Sequence, residues 1–319
     1  MAAAWGERMS SFWVFPGQGA QQVGMLHQLP DLPLVHDCLR EAAEALGEDV
    51  LALDCAEALQ STRSVQLCLL IAGVACARVL QHHGCQPDYV AGLSIGAYPA
   101  AVVARALAFE DALRLVALRG ELMQNAYPEG YGMTAIIGLD QACIEASIDR
   151  IHSQETPVFL ANINADNQCV IAGSSQAMEQ VGRLAKEAGA AAVKRLAVSV
   201  PSHCALLDEP AQVLARAFAE VRLETPKVRY LSGSTARPIV NVEKLRDDLT
   251  FNMCRVIDWR STVQTAYERG VRLQIELPPG TVLTGLARKV FEQGTAVAFQ
   301  GARLDSLVAL SREEGTRNP

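Results

Sequence analysis

Tyr89-Val90-Ala91-Gly92-Leu93-Ser94-Ile95-Gly96 is the stretch on which the fold turns. A β-prone run ends at Gly92, and a helix-compatible run, Ala97-Tyr98-Pro99-Ala100-Ala101, starts after Gly96. Gly-x-Ser-x-Gly between a strand and a helix puts its serine on a tight, strained turn above a sheet, where the glycines let the backbone cross closely. Ser94 is therefore a candidate nucleophile. The amide of Ile95, at the helix N-terminus, is aimed to stabilise negative charge on a carbonyl under attack. The pattern also serves as a plain glycine-lined turn, so its surroundings must decide.

Outward from this elbow, β-rich runs alternate with helical ones, which argues for an α/β fold with a largely parallel sheet. Residues 11–15 read as a first strand, ending at Pro16-Gly17-Gln18-Gly19, a loop sequence. Residues 34–46, 64–82, 99–107 and 110–124 read as helices. The middle reads strand 134–137, helix 142–152, strands 158–164 and 168–172, helix 177–188 and strand 193–198. That is the β-α-β-β-α-β order of a ferredoxin-like unit. It reads as a small domain, 130–199, inserted into a larger one formed by 11–129 and 200–310. Helix 206–221, strand 228–232, helices 242–252 and 259–269, strand 273–276 and helix 281–293 follow. The polar end, 311–319, reads as a flexible tail.

A serine nucleophile needs a base. Of the six histidines, His27 and His36 lie early in segments with no other signal. His82, His83 and His152 close helices. His203 stands at the return from the insert, a junction of the kind that carries function, and is the candidate base. Gly17-Gln18-Gly19 follows the first strand, where backbone donors can approach an oxyanion, although a plain turn has the same sequence. Arg119 lies in a helix, where most arginines are solvated; a dicarboxylic acyl group would instead require a bidentate guanidinium there.

Composition narrows the class. The chain has 319 residues, half of them hydrophobic, and a net charge of −7. A mildly acidic protein has no electrostatic reason to bind nucleic acid broadly. The apolar run 68–77 falls short of a membrane span and residues 1–10 lack a signal-peptide core, which predicts a cytoplasmic protein. The nine cysteines include no Cys-x-x-Cys pair, so small buried thiols are expected rather than disulfides or a zinc site.

Several separated motifs then point one way. They are Phe15-Pro16-Gly17-Gln18-Gly19-Ala20-Gln21, Gly92-Leu93-Ser94-Ile95-Gly96, Arg119-Gly120 with Met123-Gln124, Ser199-Val200-Pro201-Ser202-His203, and Val282-Leu283-Thr284-Gly285-Leu286. In this order they resemble the malonyl-CoA:acyl-carrier-protein transacylases over roughly residues 12–300. The resemblance implies an α/β-hydrolase-like large domain with an inserted ferredoxin-like domain. It implies Ser94 as nucleophile, His203 as base, Gln18 and Ile95 as oxyanion donors, and Arg119 as partner of the malonyl carboxylate. A backbone carbonyl at Asn252 would orient His203. No tightly bound cofactor and no metal are implied. The substrates would be malonyl-CoA and an acyl carrier protein bearing a pantetheine-type arm.

Leu93 stands where the family usually has histidine, and Pro278 where it usually has glycine. The wording Gly-Leu-Ser-Ile-Gly-Ala-Tyr-Pro-Ala-Ala is closest to the malonate decarboxylase epsilon-subunit branch, which would add other decarboxylase subunits as partners. The alternatives are a transacylase of fatty acid or polyketide synthesis, a serine thioesterase or esterase, and a non-catalytic carrier-docking subunit. A hydrolase would want an acid between serine and histidine, and none of Asp111, Asp140, Asp149 and Asp166 has a strand-end setting.

Overall fold

The computed structural model describes residues 10–316. In chain order the elements are β1 (Ser10–Phe15), α1 (Pro33–Leu46), α2 (Thr62–His82), β2 (Tyr89–Gly92), α3 (Ala97–Val103), α4 (Phe109–Ala126), β3 (Tyr131–Ile137), α5 (Gln141–Ile151), β4 (Val158–Ala165), β5 (Gln168–Ser174), α6 (Ser175–Glu187), β6 (Ala192–Arg195), α7 (Asp208–Ala219), β7 (Arg229–Leu231), β8 (Pro238–Ile239), α8 (Val242–Phe251), β9 (Ile257–Asp258), α9 (Trp259–Glu268), β10 (Val271–Glu276), α10 (Val282–Ala287), β11 (Thr295–Ala298) and α11 (Leu304–Thr316). The fold is mixed α/β with two sheets.

The first sheet has the order β11-β10-β1-β2-β7-β8. Its pairs are parallel except β7 with β8. β1 is buried on both faces, as a central parallel strand must be. Trp13 and Phe15 enter one hydrophobic cluster, while Phe12 and Val14 enter another on the opposite side. α2 lies against this sheet. It is long and apolar enough to cross a bilayer. Here it is a core helix, apolar on nearly every side and buried from Thr62 to Leu80 except at Arg63 and Arg78.

The second sheet has the order β6-β3-β5-β4-β9. β3, β4, β5 and β6 pair antiparallel, and β9 joins β4 in parallel. One face carries Ile136, Ile163, Cys169 and Ile171 into a cluster with α5 and α6. Side-chain caps fix several helix starts: Asp140 accepts from Cys143 N, Ser174 from Ala177 N, Asn241 from Lys244 N and Asp258 from Ser261 N.

Three expectations need correction. The helix read over 281–293 ends at Ala287, because the chain turns and returns as β11 at the sheet edge. The helix read over 99–107 begins at Ala97, directly after a 3₁₀ turn at Ser94–Gly96. The tail read from 311 is helical to Thr316 as the end of α11, where Ser311 Oγ donates to Leu307 O. Residues 1–9 and 317–319 lie outside the described residues. All nine cysteines are free thiols, and burial pushes those of Cys38, Cys68 and Cys204 up to about 12.

Candidate active site

β2 delivers the chain to the elbow between β1 and β7. A Cβ on Gly92 would stand 1.8 Å from Gly96 C, and one on Gly96 would stand 2.1 Å from Phe15 O. Neither position admits a side chain without moving backbone, which is why both ends of the motif are glycine. Ser94 itself has φ 57, a left-handed conformation that costs a non-glycine residue roughly 1–3 kcal/mol. The loop after β1 presses on the same corner: a Cβ on Gly17 would lie 2.6 Å from Leu93 Cδ2. Together these segments open onto a cavity of about 430 Å³ lined by Gln18, Leu93, Ser94, Asn162, His203 and Leu283, among others. Gln18 is therefore at the cavity. Ile95 has its side chain fully buried and can act there only through its main-chain amide.

His203 is also held in a left-handed conformation, φ 65. Its amide donates to Met253 O at 2.7 Å, and its Nδ1 is 2.6 Å from Asn252 O. A carbonyl can only accept, so Nδ1 carries the proton and Nε2 is left bare as the basic nitrogen. Burial lowers the ring's pKa to about 4, and the Arg119 guanidinium pushes the same way; the Asn252 carbonyl opposes both. His203 is thus neutral at neutral pH. The other five histidines are engaged elsewhere: His27 with Asp54, His36 with Asp31, His152 with Val158 O, and His82 and His83 edge to face with each other.

This shift sets a pH prediction. The acid limb of kcat/KM for acyl loading is expected near pH 4 rather than 6.5, since kcat/KM reports the free enzyme's base. Arg119→Gln removes a cationic neighbour and is expected to move the limb upward. The sign for stability follows from a lowered folded-state pKa: the unfolded chain binds the proton first, so stability falls as pH drops from about 6.5 to about 4. A pH–rate profile with its acid limb unmoved in Arg119→Gln would refute the coupling.

Arg119 is 0 % exposed. α4 brings it in because Gly120 lies against α2, where a Cβ would stand 2.5 Å from Arg63 Cα. Its Nη1 donates to Gln66 Oε1 at 2.6 Å; its Nη2 donates to Ser94 Oγ at 3.3 Å and Asn252 Oδ1 at 3.2 Å. Nε has no partner. Among the described residues no carboxylate pairs with it: the groups acting on its charge are Tyr98 and Cys254, and burial pulls its pKa down. A buried cation with only neutral acceptors is an unusual arrangement, because buried charges are normally paired.

Asn252 does more than the sequence foresaw. Its carbonyl meets His203, while its carboxamide accepts from Arg119 and donates from Nδ2 to Ser94 O at 3.3 Å. Gln66 was not foreseen at all; it sits on the most apolar helix of the chain, and that polar break was the available signal. Gln124 accepts from Ser61 Oγ and Thr62 N, fixing the start of α2. Glu276, at the end of β10, accepts from Leu283 N and Thr284 N and so seats α10 at the cavity wall. Arg288 and Lys289 are exposed cations that do not line the cavity.

Known proteins resemble this chain over most of its length. The family described as acyl transferase domain matches residues 12–317. A malonyl CoA-acyl carrier protein transacylase of Escherichia coli O157:H7 is 41% identical over 293 residues, covering 90% of this chain and 94% of the relative. The Bacillus subtilis (strain 168) protein of the same name is 32% identical over 311 residues, covering 96% and 98%. Among solved structures, FabD from Acinetobacter baumannii superposes with a TM-score of 0.91 at 34% identity, covering 96% of this chain and 99% of that one. A malonyl-transacylase solved with a type II polyketide synthase acyl-carrier protein, PlMCAT:AntF, gives 0.89 at 38% identity, covering 95% and 99%. With the family match over residues 12–317 and these relatives over nearly its whole length, the chain belongs to the acyl transferase domain family.

Proposed function

We propose that this protein is a malonyl-CoA:acyl-carrier-protein transacylase of fatty acid or polyketide synthesis. The observation that carries the reading is Arg119, a fully buried guanidinium that no carboxylate pairs with among the described residues, 3.3 Å from Ser94 Oγ. An acyl group ending in a carboxylate supplies the missing partner in bidentate geometry and lies where the serine oxygen attacks.

The steps follow from the geometry. Nε2 of His203 takes the Ser94 proton as Oγ attacks the thioester carbonyl. The amides of Gln18 and Ile95 hold the oxyanion. The C–S bond breaks, coenzyme A leaves with the proton from His203, and malonyl-Ser94 remains. The carrier thiol then gives its proton to Nε2, its sulfur attacks the ester, and Ser94 is regenerated. Behind His203 stands a main-chain carbonyl rather than a carboxylate, which favours transfer over the hydrolase reading.

The malonate decarboxylase branch suggested by the elbow wording is the weaker reading, because the relatives reported above carry the name of carrier-protein transacylases. We also read 130–199 as a ferredoxin-like insert in an α/β-hydrolase-like domain formed by 11–129 and 200–310; the element order and the antiparallel pairing of β3 to β6 support this.

Intact-mass measurement tests the function. Incubation with malonyl-CoA is expected to add one malonyl group, which discharges on addition of an acyl carrier protein thiol. Acetyl-CoA is expected to load poorly. Arg119→Ala is expected to lower malonyl loading by roughly 10²–10³-fold, the effect of removing one partner of a buried charge pair, and to erase the preference over acetyl. An unchanged preference would remove Arg119 as the clamp.

A further inference from the structure

Asp248 is a buried carboxyl that the chemistry above does not use. It stands in the last turn of α8 and is 6 % exposed. Tyr230 Oη donates to its Oδ2 at 2.8 Å, and Ser232 Oγ donates to its Oδ1 at 2.5 Å. Ser232 Oγ also accepts from the amides of Ser234 and Thr235, at 3.2 and 3.1 Å. Both lone pairs of that oxygen are then taken, so its O–H must be donated, and only an acceptor fits opposite it. A carboxylate is such a group. Among the described residues no cation bonds Asp248, because Arg255 bonds its neighbour Asp247 instead. Burial raises the Asp248 carboxyl above its ordinary range, and the two hydroxyls draw it back. A buried carboxylate held only by hydroxyls destabilises a fold, and an apolar side chain with apolar partners would fill the same space without that penalty.

The place of Asp248 in the fold supplies a reason for it. Tyr230 lies on β7 and Ser232 just beyond its end, and β7 pairs with β2, the strand that delivers Ser94. The loop after Ser232 presses on the elbow: a Cβ on Gly233 would stand 3.0 Å from Gly92 O. The other end of the path is one helical turn on. The main-chain carbonyl of Asp248 accepts from Asn252 N, and Asn252 O and Met253 O hold His203. From α3, just after the elbow, Tyr98 Oη donates to Leu249 O at 3.0 Å. The group behind His203 is a main-chain carbonyl, and such an atom is only as well placed as the helix end that bears it. We propose that Asp248 is a positioning residue that fixes His203 against Ser94 by bolting the end of α8 to the strand beside the elbow. The inference rests on the transacylase reading, in which Ser94 and His203 are nucleophile and base. Asp248 touches no reacting atom; it acts through Asn252 on one side and Ser232 on the other.

The test separates alignment from folding. Formation of the malonyl adduct is followed by rapid-quench intact mass over a range of malonyl-CoA concentrations, in wild type, Asp248→Asn, Tyr230→Phe and Asp247→Asn. The amplitude reports the folded fraction, and the rate constant reports how well His203 meets Ser94. Asp248→Asn either turns an amide donor toward an oxygen that can accept no more or gives up one of its two bonds. It is expected to lower the rate constant at saturation roughly 10–100-fold, the scale of an ångström-sized misplacement, with KM within about twofold and the amplitude retained. Tyr230→Phe removes one of the two holds; it is expected to show a smaller loss of the same kind, and serves if Asp248→Asn folds poorly. Asp247→Asn makes the same charge change on an exposed neighbour and is expected to stay within about twofold of wild type. An unchanged rate constant in either Asp248→Asn or Tyr230→Phe, a loss confined to the amplitude, or an equal loss in Asp247→Asn would overturn the proposal. A wild type that takes no malonyl group would instead defeat the transacylase reading, and the same rate comparison is then read from sulfonylation of Ser94 by phenylmethanesulfonyl fluoride.

Discussion

Ser94→Ala lowers malonyl transfer by about 10⁵-fold or more, and His203→Ala added to it costs nothing further. Residues that act as one unit are non-additive: once the nucleophile is gone, the base has no proton to take. The expected pattern is three variants, Ser94→Ala, His203→Ala and the double, with nearly the same residual rate. Retained malonyl-CoA binding separates them from damaged folds, and intact mass shows no malonyl adduct on any of the three. A Ser94→Ala protein that still loads its carrier at the wild-type rate would make the chain a docking subunit instead of an enzyme.

Gly92→Ala is the corresponding result for the fold. Its new methyl would overlap Gly96 C at 1.8 Å, Gly96 O at 2.0 Å and Ala97 N at 2.1 Å. These atoms are all backbone, so nothing flexible can yield. The expected loss is about 4 kcal/mol or more, a large share of the roughly 5–15 kcal/mol that holds a typical domain folded. Gly47→Ala is the control. Gly47 closes α1 at φ 70, and a Cβ there meets nothing within 4 Å, so its cost is the left-handed strain alone, about 1–2 kcal/mol. Urea denaturation reads both. A Gly92→Ala midpoint equal to wild type would mean that the elbow is not sterically closed.

The elbow was legible because its chemistry is local. Two glycines, a serine and their flanks encode a strand–turn–helix corner within one window. His203 stood out from its place at a junction, and the structure puts it at the same cavity as Ser94. The cavity-lining Asn162 and Asn164 did not, because they sit in an ordinary strand whose two register slips no local pattern announces. The same applies to Gln66 and to the carboxamide of Asn252: their roles arise from contacts across 53 and 133 positions. Short edge strands failed for another reason. β8 and β9 have two residues each, too few for any period, and their pairing is dictated by neighbours rather than by their own sequence. Thr295–Ala298 was hidden because the helical pattern before it continues past Ala287 while the chain does not.

The strand order also governs when the protein can fold. β1 is synthesised long before β10, one of its two neighbours in the sheet. A ribosome must therefore release the chain as far as Val271–Glu276 before that side of Ser10–Phe15 is paired, and β4 likewise waits for Ile257–Asp258. Until then an apolar strand edge stands open, which is the surface that invites association with other nascent chains. Ser94 and Arg119 are made early, but His203 finds its carbonyl only after Asn252 emerges. Ser94 thus lacks an oriented His203 through most of the chain's synthesis, and the two come together only as the sheet closes.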